Sequence, residues 1–143
     1  MLKKIKLNIE SYIDNLDEHG LSDGEPEINR ASHPATMRIS DGEIALTYKE
    51  NGEGGPVTCS VTSKAGAVTV RRNGAVVSTM VFDEREIYKT VYCVPPYRFD
   101  MEIKTKRVRN SLSESGGALE ILYEMDIGGA KKQTRMKITV SEV

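Results

Sequence analysis

The chain has 143 residues, 38% hydrophobic and 29% charged, with 20 basic and 21 acidic side chains giving a net charge of −1. That length is about one domain, long enough to bury a core without disulfides or a structural metal, so residues 1–143 are read as one unit. The balance of charge argues against a dedicated nucleic-acid binder, whose phosphate contacts demand a basic excess.

The N-terminal stretch MLKKIKLNIE interleaves Lys3, Lys4 and Lys6 with Ile5, Leu7 and Ile9, so it lacks the unbroken apolar core of a signal peptide. No apolar run reaches the roughly 18 residues of a membrane helix. The expected setting is the cytoplasm, away from membranes, with Cys59 and Cys93 as reduced thiols.

From there the dominant period is two. Ile5, Leu7 and Ile9 open a strand over 3–13. A polar, acidic loop over 14–27 follows, with Gly20, Gly24 and Pro26. Strands are predicted over 28–40 and 43–50, where Ile44, Leu46 and Tyr48 alternate with polar residues. After a Gly-rich loop over 51–56 come strands over 56–64, 67–72, 75–82, 87–94 and 97–109. The polar stretch Ser111–Gly117 leads into strands over 118–127 and 130–141, the first carrying Leu119, Ile121, Tyr123, Met125 and Ile127 at alternate positions.

The turns check the faces. If Asp41-Gly42 is a two-residue turn, Ile39 meets Ile44, Met37 meets Leu46 and Ala35 meets Tyr48. Gly128-Gly129 brings Met125 to Lys132, Ile121 to Met136 and Leu119 to Ile138. Ala65-Gly66 brings Val61 to Val70 and Cys59 to Arg72. A one-residue slip would break each match. Asn73-Gly74 is the exception, because a two-residue turn there sets Val68 and Val70 on the face opposite Val76, Met80 and Phe82. An Arg72-Asn73-Gly74 loop with Gly74 left-handed in a bulge restores one apolar face.

Consecutive hairpins of this kind make a meander. About ten strongly twisted strands curl or split, and closure removes exposed edges. The predicted fold is all-β: an antiparallel up-and-down meander closed into a barrel of about eight to ten strands. A two-sheet sandwich is the alternative.

Arg72-Asn73-Gly74, Met80-Val81-Phe82, Tyr92, Thr105, Gly116-Gly117 and Tyr123 stand at spacings that resemble the YwiB-like family of small bacterial proteins of unknown function. The resemblance runs from the first strand to the last. It implies a calycin-like, lipocalin-related β-barrel and no assigned reaction. The family usually carries Thr-Pro-Tyr-Gly shortly after a tyrosine. Here that place reads Val94-Pro95-Pro96-Tyr97, without the glycine.

Chemistry-bearing clusters are sparse. Cys59, Cys93, His19 and His33 contain the side chains of a thiol nucleophile pair or a zinc site, but their spacing matches no finger pattern, and buried structural residues are the simpler expectation. Gly52-Glu53-Gly54-Gly55 lacks the lysine and following helix of a phosphate loop. Arg71, Arg72, Lys104, Lys106, Arg107 and Arg109 form basic strips without interleaved aromatics, so they read as solvated faces. No catalytic, metal or cofactor site is expected.

The constellation with most chemistry falls on or near the inward face: Tyr48, Arg72, Tyr97, Phe99, Thr105, Arg107 and Tyr123. Such groups inside a barrel either orient a small ligand or satisfy one another in a packed core. The leading expectation is therefore a non-enzymatic binding protein with a small molecule in its barrel. The alternative is an interaction module using an outer sheet face or the acidic 14–27 loop. A continuous cavity above ~300 Å³ separates the first from the second, which would show a packed interior and a large exposed apolar patch. The oligomeric state is left open by the sequence.

Overall fold

The structure is a computed structural model that describes residues 1–52 and 54–143. Of the Gly-rich loop noted above, Glu53 lies outside the described residues. Ten strands follow one another: β1 (Leu2–Leu16), β2 (Glu27–Ser40), β3 (Glu43–Gly52), β4 (Gly55–Lys64), β5 (Ala67–Gly74), β6 (Ser78–Phe82), β7 (Ile87–Val94), β8 (Tyr97–Asn110), β9 (Gly117–Ile127) and β10 (Ala130–Glu142). They form one antiparallel sheet in the order β6-β5-β4-β3-β2-β1-β10-β9-β8-β7. Each strand except β6 thus pairs with its successor, and pairing of β1 with β10 joins the two ends of the chain. The seam lies between β6 and β7, where Val77 and Cys93 exchange backbone hydrogen bonds of 2.9 and 3.0 Å. The barrel is nearly closed.

The registers expected from the tight turns are present. Ile39 pairs with Ile44 and Met37 with Leu46. Ile121 pairs with Met136, Leu119 with Ile138, Val61 with Val70 and Cys59 with Arg72. Asp41 and Gly42 have φ of 50° and 76°, and Ala65 and Gly66 have 52° and 85°, so both turns match the twist of their strands. The inward residues at alternate positions build the core, with Ile5, Leu7, Met37, Leu46, Phe82, Ile103, Leu119, Ile121 and Ile138 almost fully buried.

The β5–β6 connection differs from expectation in one respect. Gly74 has φ of 143°, and Val68 and Val70 do share a face with Met80 and Phe82. The face is restored by a longer connection and not by a bulge: Arg72 pairs with Ser78, Val70 pairs with Met80, and Asn73–Val77 span the gap. The extra length lets Val77 reach across the seam to Cys93. Gly74 itself lies against β4, where an added Cβ would collide with the Pro56 carbonyl oxygen and come within 3.1 Å of Val57 Cα.

Two irregularities decide what reaches the interior. The first is Pro34. Met1 and Ile39 exchange backbone hydrogen bonds, so alternate residues of β2 turn their backbone groups toward β1 and the intervening ones toward β3. Pro34 is among the latter, and its missing N–H falls where Lys49 would be its partner. The β2–β3 ladder covers only Thr36–Ser40 and Glu43–Thr47, and above it the strands part. The second is a register shift between Thr105 and Arg107 opposite Tyr123 and Leu122, which leaves Lys106 as the extra residue of a bulge.

Candidate functional site

The strand directions put the 41–42 and 65–66 turns at one end of the barrel. Ile5, Phe82 and Leu119 fill that end, and Asn110 donates a hydrogen bond to Ser63 across it. Toward the other end the interior becomes polar. Cross-strand pairing aligns Tyr48 with Cys59, Cys59 with Arg72, and Arg72 with Ser78. Because directly opposed residues point to the same face, these four make one inward row across β3, β4, β5 and β6. A second row, Thr105–Tyr123–Thr134, crosses β8, β9 and β10.

Tyr48 is 4% exposed, and its ring lies 4.9 Å from that of His33 across the parting of β2 and β3. Its expected partner Ala35 lies just beyond the end of the β2–β3 ladder. Burial, and next the neighbouring Cys59 thiol, push the Tyr48 phenol well above its usual value. Burial also pushes the Cys59 thiol up, with the Glu50 carboxylate adding to it, which is the opposite of what activates a nucleophile. Tyr123 is 6% exposed and packs at 4.6 Å on Phe82; burial raises its phenol, while the Thr134 hydroxyl and the Arg72 charge oppose the rise.

Arg72 is the cation of the inner row. Its charge is felt by Tyr48, Cys59 and Tyr123 together. Its nearest carboxylate, that of Glu50, stands at 4.0 Å, outside hydrogen-bonding distance. Beside it opens a cavity of about 360 Å³ with Ile9, Val61, Val70, Met136 and Ile138 as its apolar wall and His33, Tyr48, Glu50 and Arg72 among its polar groups. Arg30 of β2 also lines this cavity. The lining includes Ala31 and His33 of β2 and Tyr48 and Glu50 of β3, which stand on either side of the gap beyond the end of the β2–β3 ladder.

The structure thus brings together Tyr48 and Arg72, with Tyr123 and Thr105 deeper in the barrel. It does not bring Tyr97, Phe99 or Arg107 to them. Tyr97 and Phe99 share the face of Met101 and Ile103, but β8 pairs with β9 only from Met101 onward. They project past the end of the barrel wall and are 65% and 41% exposed. Arg107 turns outward because the bulge at Lys106 shifts the alternation by one residue and sends Val108 inward instead. His33, Glu50, Cys59 and Ser78 join the site without having been counted in it. Among the described residues, no three His, Cys, Asp or Glu side chains converge as a metal would need. Cys59 and Cys93 are unbridged.

The class defined by this geometry is an antiparallel, ten-stranded, nearly closed β-barrel with a polar row along one inner wall. The chain belongs to the family described as a domain of unknown function (DUF1934), which matches residues 16–139. The uncharacterized β-barrel protein YwiB of Bacillus subtilis (strain 168) is 25% identical over 124 residues, 87% of this chain and 82% of that relative. The crystal structure of the ywiB protein from Bacillus subtilis superimposes with a TM-score of 0.87 at 24% identity, over 99% of this chain and 93% of that one. That likeness shows the fold. Nothing in these comparisons points to a reaction.

Proposed function

We propose that this protein is a cytoplasmic binding protein that holds a small molecule in its barrel. The observation that carries this reading is the cavity of about 360 Å³ beside Arg72, which combines apolar side chains with a few polar ones and is lined on both sides of the β2–β3 gap. A ligand site of this kind combines an apolar body with a few placed polar groups, and its volume starts near 300 Å³. Docking through the outer face has less support, because strands such as β10 turn charged Lys131, Arg135 and Lys137 outward. The cytoplasmic setting is supported by Cys59 and Cys93 standing unbridged. The test is native mass spectrometry of freshly purified protein. A species heavier than the chain by one small molecule, lost on unfolding, is the expected result; a bare chain that also takes up no apolar dye sinks the proposal.

A further inference from the structure

We infer that the molecule held in the barrel is a small organic anion, with one carboxylate-sized head on the Arg72 guanidinium and an apolar body against Val61, Val70 and Ile138. The inference rests on the reading that the barrel holds a small molecule and adds its chemical class.

Three observations meet at this point. The first is the state of Arg72. A guanidinium presents five donors in a planar fork suited to a two-oxygen anion. Arg72 lies on the inner row, three-quarters buried, and Glu50 at 4.0 Å is too distant to accept from it. Among the described residues no side-chain hydrogen bond uses the fork. The second is Ser78, the direct cross-strand neighbour of Arg72 and only 4% exposed. Its buried hydroxyl has no partner among the described residues. A buried donor left unpaired costs free energy, and Ser78 stands beside Arg72 in the inner row although it is not itself part of the cavity lining. The third is the make-up of the cavity lining. Apolar Val61 and Val70 lie below Tyr48 and Arg72 on the same inner face, and Ile9, Met136 and Ile138 continue the apolar lining on β1 and β10. The remaining polar side chains are Ser11, Asn29, Arg30, His33 and Glu50. One charged head at Arg72 and one apolar body against the valines and isoleucines beside it fit that lining. A doubly charged or wholly polar molecule would leave the apolar wall unused.

Glu50 sets the strength of the site. Its carboxylate partly neutralises Arg72 and repels an arriving anion, so the empty protein keeps a guarded cation where a bare one would be costly. His33 and Tyr48, their rings 4.9 Å apart and tilted by 32°, line the cavity on either side of the gap.

Two dyes with one ring skeleton test this: 1-anilinonaphthalene-8-sulfonate, which carries an anionic head, and N-phenyl-1-naphthylamine, which does not. Fluorescence titration of the folded protein should show both binding, the anionic dye more tightly. Arg72→Met should weaken the anionic dye roughly tenfold to a hundredfold, as for loss of a charge-assisted hydrogen-bonded pair, and leave the neutral dye unchanged. Arg72→Lys should restore part of that loss, and Glu50→Gln should tighten the anionic dye. A thermal melt of each variant confirms that it is folded; if Arg72→Met does not fold, the Arg72→Lys and Glu50→Gln responses decide. Equal binding of both dyes, or an Arg72→Met change shared by both, overturns the anion assignment while sparing the cavity. Failure of both dyes to bind overturns the cavity reading and this one with it.

Discussion

Tyr123→Ala is the sharpest test of the barrel interior. The ring sits on the inner face of β9, is 6% exposed, and meets Phe82 of β6 at 4.6 Å and 53°. An aromatic side chain removes on the order of 150–250 Å² from water. At about 25 cal/mol per Å² that is roughly 4–6 kcal/mol of transfer free energy, an upper figure because the unfolded chain is itself partly collapsed. Measured truncations of buried aromatic residues cost about 3–5 kcal/mol. We expect about 4 kcal/mol here, a large part of the ~5–15 kcal/mol typical of a domain. At ~3 °C per kcal/mol for a chain of this size, the midpoint should fall by roughly 12 °C. Tyr123→Phe keeps the ring and removes only the hydroxyl beside Thr134, so it should cost about 1 kcal/mol. The chain has no tryptophan, so urea unfolding is best followed by circular dichroism. A cost below ~1 kcal/mol for Tyr123→Ala would falsify the inward assignment of β9, since a ring on the outer face loses little on truncation.

Other outcomes are as specific. Tyr48 and Tyr123 both have phenols raised above the unfolded value of about 10, so the folded state binds more protons than the unfolded one above that pH. Stability should be unaffected by these groups below pH ~10 and fall as pH rises toward their folded values. Ultraviolet titration of the six tyrosines should show these two ionising only as the barrel unfolds, and smooth ionisation of all six in the folded state would refute it. Gly74→Ala should cost about 1–3 kcal/mol in urea unfolding, because Gly74 has φ of 143° and an added Cβ meets the Pro56 carbonyl; a neutral result would mean that β4 and β5 lie farther apart there. Cys59 is fully buried and its thiol raised, whereas Cys93 is half-buried at the seam. A thiol reagent should modify Cys93 in the folded protein and Cys59 only on opening, and equal rates would contradict this burial.

Pairing in β-hairpins is local, and that is why so much of the barrel can be read from the chain. Side chains alternate with a period of two, and a tight turn sets which residues oppose. Ile39 opposite Ile44, Val61 opposite Val70 and Ile121 opposite Met136 follow from these two facts alone. So do the inward placements of Tyr48, Arg72 and Tyr123. Two departures also left traces in the sequence that strict alternation passes over. Pro34 stands inside a strand pattern, where a missing N–H marks an open edge. Val108 follows Met101, Ile103 and Thr105 one position out of step, as a bulge requires.

The rest depends on residues far apart in the chain. Which end of the barrel is filled and which is open, that β8 overruns β9 and strands Tyr97 and Phe99 outside, and that the seam rests on Val77 and Cys93 follow from how unequal strands close on one another. The row Tyr48–Cys59–Arg72–Ser78 needs three ladders in register at once, two of them joined by connections whose length the residue types do not specify. Alternation tells each side chain which face it takes. Only closure of the wall turns a face into an interior, because burial depends on what stands opposite, and that is contributed by strands tens of residues away.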